Sequence, residues 1–156
     1  MTLYLVRHAK AGNRSDWQGD DWLRPLTAAG QAQARGLLEQ FHTARFGAVM
    51  ASPYVRCMET VVPLASTHGL PLVPSEALAE GVALETALEL LAQHHEHGAV
   101  LCSHGDVIPM LLEHFVASGA DLGPAPRCEK GSTWVVEGPL DGVVAVRYLP
   151  PPTTGR

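Results

Sequence analysis

A pattern repeated three times constrains this chain most: a short apolar run halts abruptly on polar residues, and a segment with helical spacing follows. Thr2 to Val6 is apolar and β-prone and stops at Arg7-His8, Ala48 to Ala51 stops at Ser52, and Ala99 to Cys102 stops at Ser103-His104. Runs this short, bounded by turn residues, read as buried strands. Ala34, Leu37, Leu38 and Phe41 share one face of a 3.6-residue repeat, as do Leu84, Ala87, Leu88 and Leu91, and then Ile108, Leu111, Leu112 and Phe115. Alternating strand and helix predicts an α/β fold, a three-layer α/β/α sandwich with a mostly parallel sheet. Trp134 to Glu137 and Val143 to Arg147, joined through Gly138-Pro139 and Asp141-Gly142, predict an antiparallel edge. One domain over 1–149 is expected, with an unpacked proline-rich tail over 150–156.

Local signals place the helix ends. Thr27 reads as the N-cap of the first helix. Ser52 followed by Pro53 reads as an N-cap and first-turn proline, starting a helix that runs to about Ser66 and carries Arg56 near its beginning. A short strand is expected near Leu72 and Val73. Gly105 stands where the next helix begins, so amides near it are candidate anion donors.

In open α/β sheets ligands bind beyond the carboxyl ends of the strands. One pocket can therefore collect Arg7-His8, Ser52 and Ser103-His104, with Arg56 as a further donor. A phosphoryl group in transfer spreads charge over three oxygens and needs several fixed donors, an in-line nucleophile and a proton for the leaving group. Neutral imidazole is a competent nucleophile, and the arginine fork matches phosphate geometry.

Composition limits the partner. With 156 residues, a net charge of -5 and 46% hydrophobic residues, the chain reads as one globular domain whose field repels a nucleic-acid polymer or an anionic membrane surface. Cys57, Cys102 and Cys128 form no spaced pair, which points to reduced thiols and a cytoplasmic setting. No signal peptide or membrane span is read. The sequence leaves the oligomeric state open.

Three blocks carry a resemblance to a known family. Arg7-His8-Ala9 resembles the Arg-His-Gly signature of the histidine phosphatase superfamily, in the branch that includes phosphoglycerate mutases. The stretch from Ser52 to Thr60 is similar to that family's second block, and Ser103-His104-Gly105 to its third. The resemblance implies a phosphohistidine intermediate on His8, a phosphate pocket of Arg7, Arg56 and His104, and no metal or cofactor. Leu78-Ala79-Glu80-Gly81 resembles the family's general-acid block, making Glu80 the implied proton donor, with Glu76 and Glu85 as alternatives. Ala9 departs from the usual glycine, and Lys10 stands where mutases commonly carry glutamate. Arg7 to Gly12 with Arg24-Pro25-Leu26-Thr27 looks like the short bacterial phosphohistidine phosphatases. Trp17 to Asp21 is similar to the phosphatase domain fused to some Nudix hydrolases. On that likeness Lys10 and Arg14 are candidate substrate contacts.

The chain between Arg56 and His104 has no material for a cap, so an open site is expected. An open site suits a phosphohistidine protein, a nucleotide or a small phosphoester. Three other readings stand beside the phosphohydrolase: a phosphate-binding module without turnover, mutase-type phosphotransfer, and a metallohydrolase built on His94, His95 and His97. The polar end of a helix explains those histidines more simply. Trp17 and Trp22 are expected to pin their loop to the body.

Overall fold

The computed structural model describes residues 1–153. The strands are β1 (Thr2–Arg7), β2 (Ala48–Ala51), β3 (Leu72–Pro74), β4 (Ala99–Ser103), β5 (Thr133–Glu137) and β6 (Ala145–Leu149). The helices are α1 (Ala28–Gln40), α2 (Val55–Thr67), α3 (Leu84–His94) and α4 (Val107–Ala117). The sheet runs β3-β2-β4-β1-β5-β6. The first four strands in that order are parallel, and β5 and β6 form the antiparallel edge.

Every residue of central β4 is buried, because both sheet faces are covered. Alternation sorts the side chains into two cores. Leu3, Leu5, Ala99 and Leu101 face Leu91 of α3 and Ile108, Leu111 and Phe115 of α4. Val6, Val49, Val100 and Cys102 face Leu37 and Phe41 at α1 and Val61 and Leu64 of α2. Fully burying each valine, leucine, isoleucine or phenylalanine among these contributes roughly 1.5–3 kcal/mol. The two cores make the sheet a rigid base whose carboxyl edge cannot drift.

Thr27 caps α1 as expected, its Oγ1 accepting from Gly30 N at 3.1 Å. Gly30 is required there, since a Cβ would fall 2.0 Å from the Lys10 carbonyl oxygen.

Four expectations need correction. The second helix does not start at Ser52-Pro53; Tyr54 (ψ 135°) is its N-cap. Ser52 is occupied elsewhere, its Oγ lying 2.8 Å from His104 Nε2. The last strand begins at Ala145, leaving Val143 unpaired and 60% exposed. Trp17 and Trp22 do not pin their loop to the core: they are 36% and 50% exposed, and Trp17 Nε1 donates only to Asp20 O of the same loop. The tail is not wholly unpacked, since Pro150 O accepts from Gln40 Nε2 at 3.1 Å and Pro152 lies against Gly36. The rest of that expectation, 154–156, lies outside the described residues.

No helix among the described residues is long and apolar enough to cross a membrane.

Candidate active site

Strand register explains why distant residues meet. Pairing sets Arg7 opposite Ser103 and Ala51 opposite Cys102, so β1, β2 and β4 end level. The ladder then runs one residue further, with His8 N donating to Ser103 O and Ser52 N to Cys102 O, both at 3.0 Å. A cavity of about 630 Å³ opens above these strand ends, lined in part by Arg7, His8, Arg56, Glu80, His104 and Lys130.

His8 is 6% exposed. Its Nδ1 lies 2.8 Å from Ala9 O, and a carbonyl can only accept, so Nδ1 carries the hydrogen. The lone pair is then on Nε2. Burial, the largest influence, together with the charges of Arg56 and Arg7 and the nearby His104 ring, pushes the imidazole down to about 3; the Ala9 contact opposes this. The ring is therefore neutral at pH 7, the state a nucleophile needs.

Around His8 stand donors with unspent capacity. Three of the six buried side-chain N and O atoms without a partner among the described residues are Arg7 Nε, Arg56 Nε and His104 Nδ1. Buried polar groups are normally paired, so three orphans on residues lining one cavity mark a place built for an acceptor. The remaining groups of these side chains are anchored. Arg7 Nη1 donates to Cys128 O at 2.6 Å, and its guanidinium lies over Gly105, where a Cβ would meet Cζ at 2.7 Å. The service of Gly105 is thus the room it leaves for Arg7, and α4 itself begins two residues later. Ser52 Oγ accepts from Tyr54 N at 3.3 Å. We assign its own hydrogen to His104 Nε2, which leaves the ring hydrogen on the unpaired Nδ1. The His8 and His104 rings lie 5.5 Å apart.

Arginines and carboxylates knit the rim. Asp21 Oδ2 accepts from Arg56 Nη2 at 3.0 Å, and Asp21 Oδ1 faces Arg24 Nε at 3.1 Å and Arg14 Nε at 3.3 Å. Burial pushes the Asp21 carboxyl up, but hydrogen bonds from Arg24 and Arg56 and the charges of Arg56 and Arg14 outweigh it and hold it below the usual value. Glu80 Oε1 accepts from Arg14 Nη2 at 3.1 Å and lies 3.7 Å from Arg56 Nη2. The Glu80 loop is tied to the body twice: Gly81 N donates to Asp106 Oδ2 at 2.8 Å, and Ser103 Oγ to Leu78 O at 2.6 Å. The result is a cationic, hydrogen-bond-rich floor with the Glu80 carboxylate held by arginines in the cavity lining.

A family model, described as histidine phosphatase superfamily (branch 1), matches residues 3–83. The chain belongs to that superfamily. The 8-oxo-(d)GTP phosphatase of Mycolicibacterium smegmatis is 35% identical over 97% of this histidine phosphatase chain. The chain spans about half the length of that relative (48%). The solved protein histidine phosphatase SixA complexed with tungstate has a TM-score of 0.73 at 19% identity, covering 94% of each chain. The α-ribazole phosphatase of Shigella flexneri also has a TM-score of 0.73, at 16% identity and 96% of each chain. At these identities the two structures establish the fold.

Within this histidine phosphatase chain, His8, Arg7, Arg56, His104, Gly105, Glu80 and Arg14 all line the cavity. Lys10 does not; its side chain is exposed, and its backbone N donates to Gln33 Oε1 at 2.9 Å. Glu76 and Glu85 are exposed and outside the cavity lining. His95 Nε2 lies 2.6 Å from Gly138 O, and no three His, Cys, Asp or Glu side chains among the described residues are grouped as metal ligands. Sequence reasoning missed the roles of Asp21 and Arg24, the contact of Ser52 with His104 and the place of Lys130 in the cavity lining. Asp21 and Arg24 lay inside the quoted look-alike stretches, a usable signal. Ser52 was read as a cap, and Lys130 had no local signal.

Proposed function

We propose that this chain is a metal-independent phosphohydrolase working through a phosphohistidine on His8. The observation that carries the reading is the trio of unpartnered donors beside an imidazole whose tautomer leaves Nε2 free. Arg7, Arg56 and His104 hold the oxygens of a phosphoryl group while His8 Nε2 attacks phosphorus. Glu80 stands at the mouth, where, released from Arg14 and carrying a proton, it gives that proton to the leaving oxygen and becomes a carboxylate. In the second half it accepts a proton from the water that attacks phosphohistidine and releases phosphate. Each step needs charge stabilisation at the equatorial oxygens, which fixed guanidinium donors in a partly enclosed site supply without reorganising.

The open cavity, with no inserted cap over it, supports substrates whose phosphate projects from a larger body, a nucleotide or a phosphohistidine protein, and the same donors are compatible with a small phosphoester. The relative named for 8-oxo-(d)GTP supports the nucleotide among these. The test is covalent labelling under alkaline quench, which preserves the acid-labile phosphoramidate. A radiolabelled phosphoester should give transient label on the wild type, and His8→Ala should give neither label nor turnover. Full turnover in that variant ends the reading.

A further inference from the structure

Lys130 has no part in the scheme above, yet its backbone is fixed as firmly as the nucleophile's. Gly131 N, the next amide, donates to both Arg7 O and His8 O at 3.1 Å. Lys130 O accepts from Gln33 Nε2 at 3.1 Å. Gln33 is 5% exposed, and its Oε1 takes the Lys10 amide at 2.9 Å. One buried amide side chain therefore brackets the backbones of two lysines against the strand that carries His8. Gly131 (φ +86°) makes the turn, and a Cβ there would stand 3.0 Å from Gln33 Nε2.

The charges around this bracket are unbalanced. The arginines of the rim have Asp21 and Glu80, but neither Lys10 nor Lys130 has a carboxylate partner among the described residues. Burial first, then the charges of Arg7, Arg24, Arg56 and Lys10, hold the Lys130 ammonium below its ordinary value. Lys130 is solvent-exposed, and it lines the same cavity as His8, Arg7, Arg24 and Arg56. An anion arriving at this wall meets a cation that no carboxylate already holds. The phosphate pocket already has its own donors in Arg7, Arg56 and His104, so the extra cation is placed for a second anion.

We propose that Lys130, supported by the Lys10 charge and the Gln33 bracket, forms a second anion subsite that takes the adjoining phosphoryl group of a phosphoanhydride such as a nucleoside diphosphate. A lysine ammonium is a compact point charge that suits the doubly charged end of a phosphoryl group. This rests on the phosphohydrolase reading and names its substrate class. The terminal phosphorus forms a bond to His8 Nε2 as its bond to the bridging oxygen breaks. That oxygen keeps the electron pair, takes the Glu80 proton and leaves as part of a monophosphate whose charge Lys130 offsets while it is bound. Water then adds its oxygen to phosphorus, the N–P pair returns to Nε2, one of the water's protons passes to Glu80 and the other departs on inorganic phosphate.

Calorimetric binding of inorganic pyrophosphate and of inorganic phosphate, at low ionic strength, tests the subsite without needing turnover. The wild type should bind pyrophosphate about tenfold or more tighter than phosphate, Lys130→Ala should shrink that ratio about tenfold, and Lys130→Arg should restore most of it. A ratio that stays within about twofold in Lys130→Ala, or a wild type without the preference, overturns the subsite. The phosphohydrolase reading fails separately, through the His8→Ala labelling result, and leaves the binding comparison intact. A wild type that turns over nucleoside monophosphates but not diphosphates sinks the subsite alone.

Discussion

Lowering the pH from about 7 to about 5 should remove about 2 kcal/mol of folding stability through His8 alone. Its imidazole is pushed from the ordinary 6.5 to about 3 in the folded protein, chiefly by burial. Between those values the unfolded chain binds a proton that the folded chain refuses. Stability is therefore full above about pH 6.5, falls as pH drops through that value, and stops falling below about pH 3. At pH 5 the unfolded histidine is almost fully protonated and the folded one almost fully neutral, which gives the 2 kcal/mol, or roughly 4–8 °C in Tm for a domain of this size. Stability also depends on pH through groups other than His8, so the measurement is a difference. Urea unfolding of the wild type and of His8→Asn, whose amide can still donate to Ala9 O, isolates the term. Curves that lose stability in parallel from about pH 7 to about pH 5, within about 0.5 kcal/mol, would falsify the neutral buried imidazole and with it the account of how the nucleophile is prepared.

Three further outcomes are expected. Ser52→Ala removes the 2.8 Å contact that orients His104; it should lower kcat about tenfold with little change in KM and about 1 kcal/mol of stability, and unchanged kcat would leave Ser52 as packing only. Gly105→Ala sets a methyl 2.7 Å from the Arg7 guanidinium, so phosphate should inhibit it roughly tenfold less well at nearly unchanged Tm, checked by competitive inhibition and thermal melting. Glu80→Gln should slow an alkyl phosphate about 10²-fold or more while sparing p-nitrophenyl phosphate, whose leaving group needs no proton; equal losses on both would remove Glu80 as the acid.

The legible parts of the fold were those with short-range periodicity. Val100 and Cys102 had to point one way and Leu101 the other whatever surrounded them, and Leu84, Ala87 and Leu91 had to share a face. Ser52 shows where such reasoning ends. A serine before a proline has the local credentials of a helix cap, but His104, 52 residues away, takes its hydroxyl, and Tyr54 caps a helix that starts at Val55 instead. Trp17 and Trp22 fail in the same way, since an aromatic side chain says nothing about whether a core is within its reach.

Alone, the sequence determined the strand and helix alternation, the polar residues at three strand ends and, through its matched blocks, the cast of His8, Arg7, Arg56 and His104. Side-chain periodicity and strand chemistry act over a few residues, so they survive without a third dimension. Tertiary structure decided which nitrogen of His8 is free, which donors stay unspent, that Asp21 knits three arginines and that Lys130 lines the His8 cavity with no carboxylate partner among the described residues. Those properties come from burial and from partners 35 to more than 100 positions away, as with Arg56 and Asp21 or Arg7 and the Cys128 carbonyl. Only closure of the chain sets such distances, and desolvation exists only once water has been excluded.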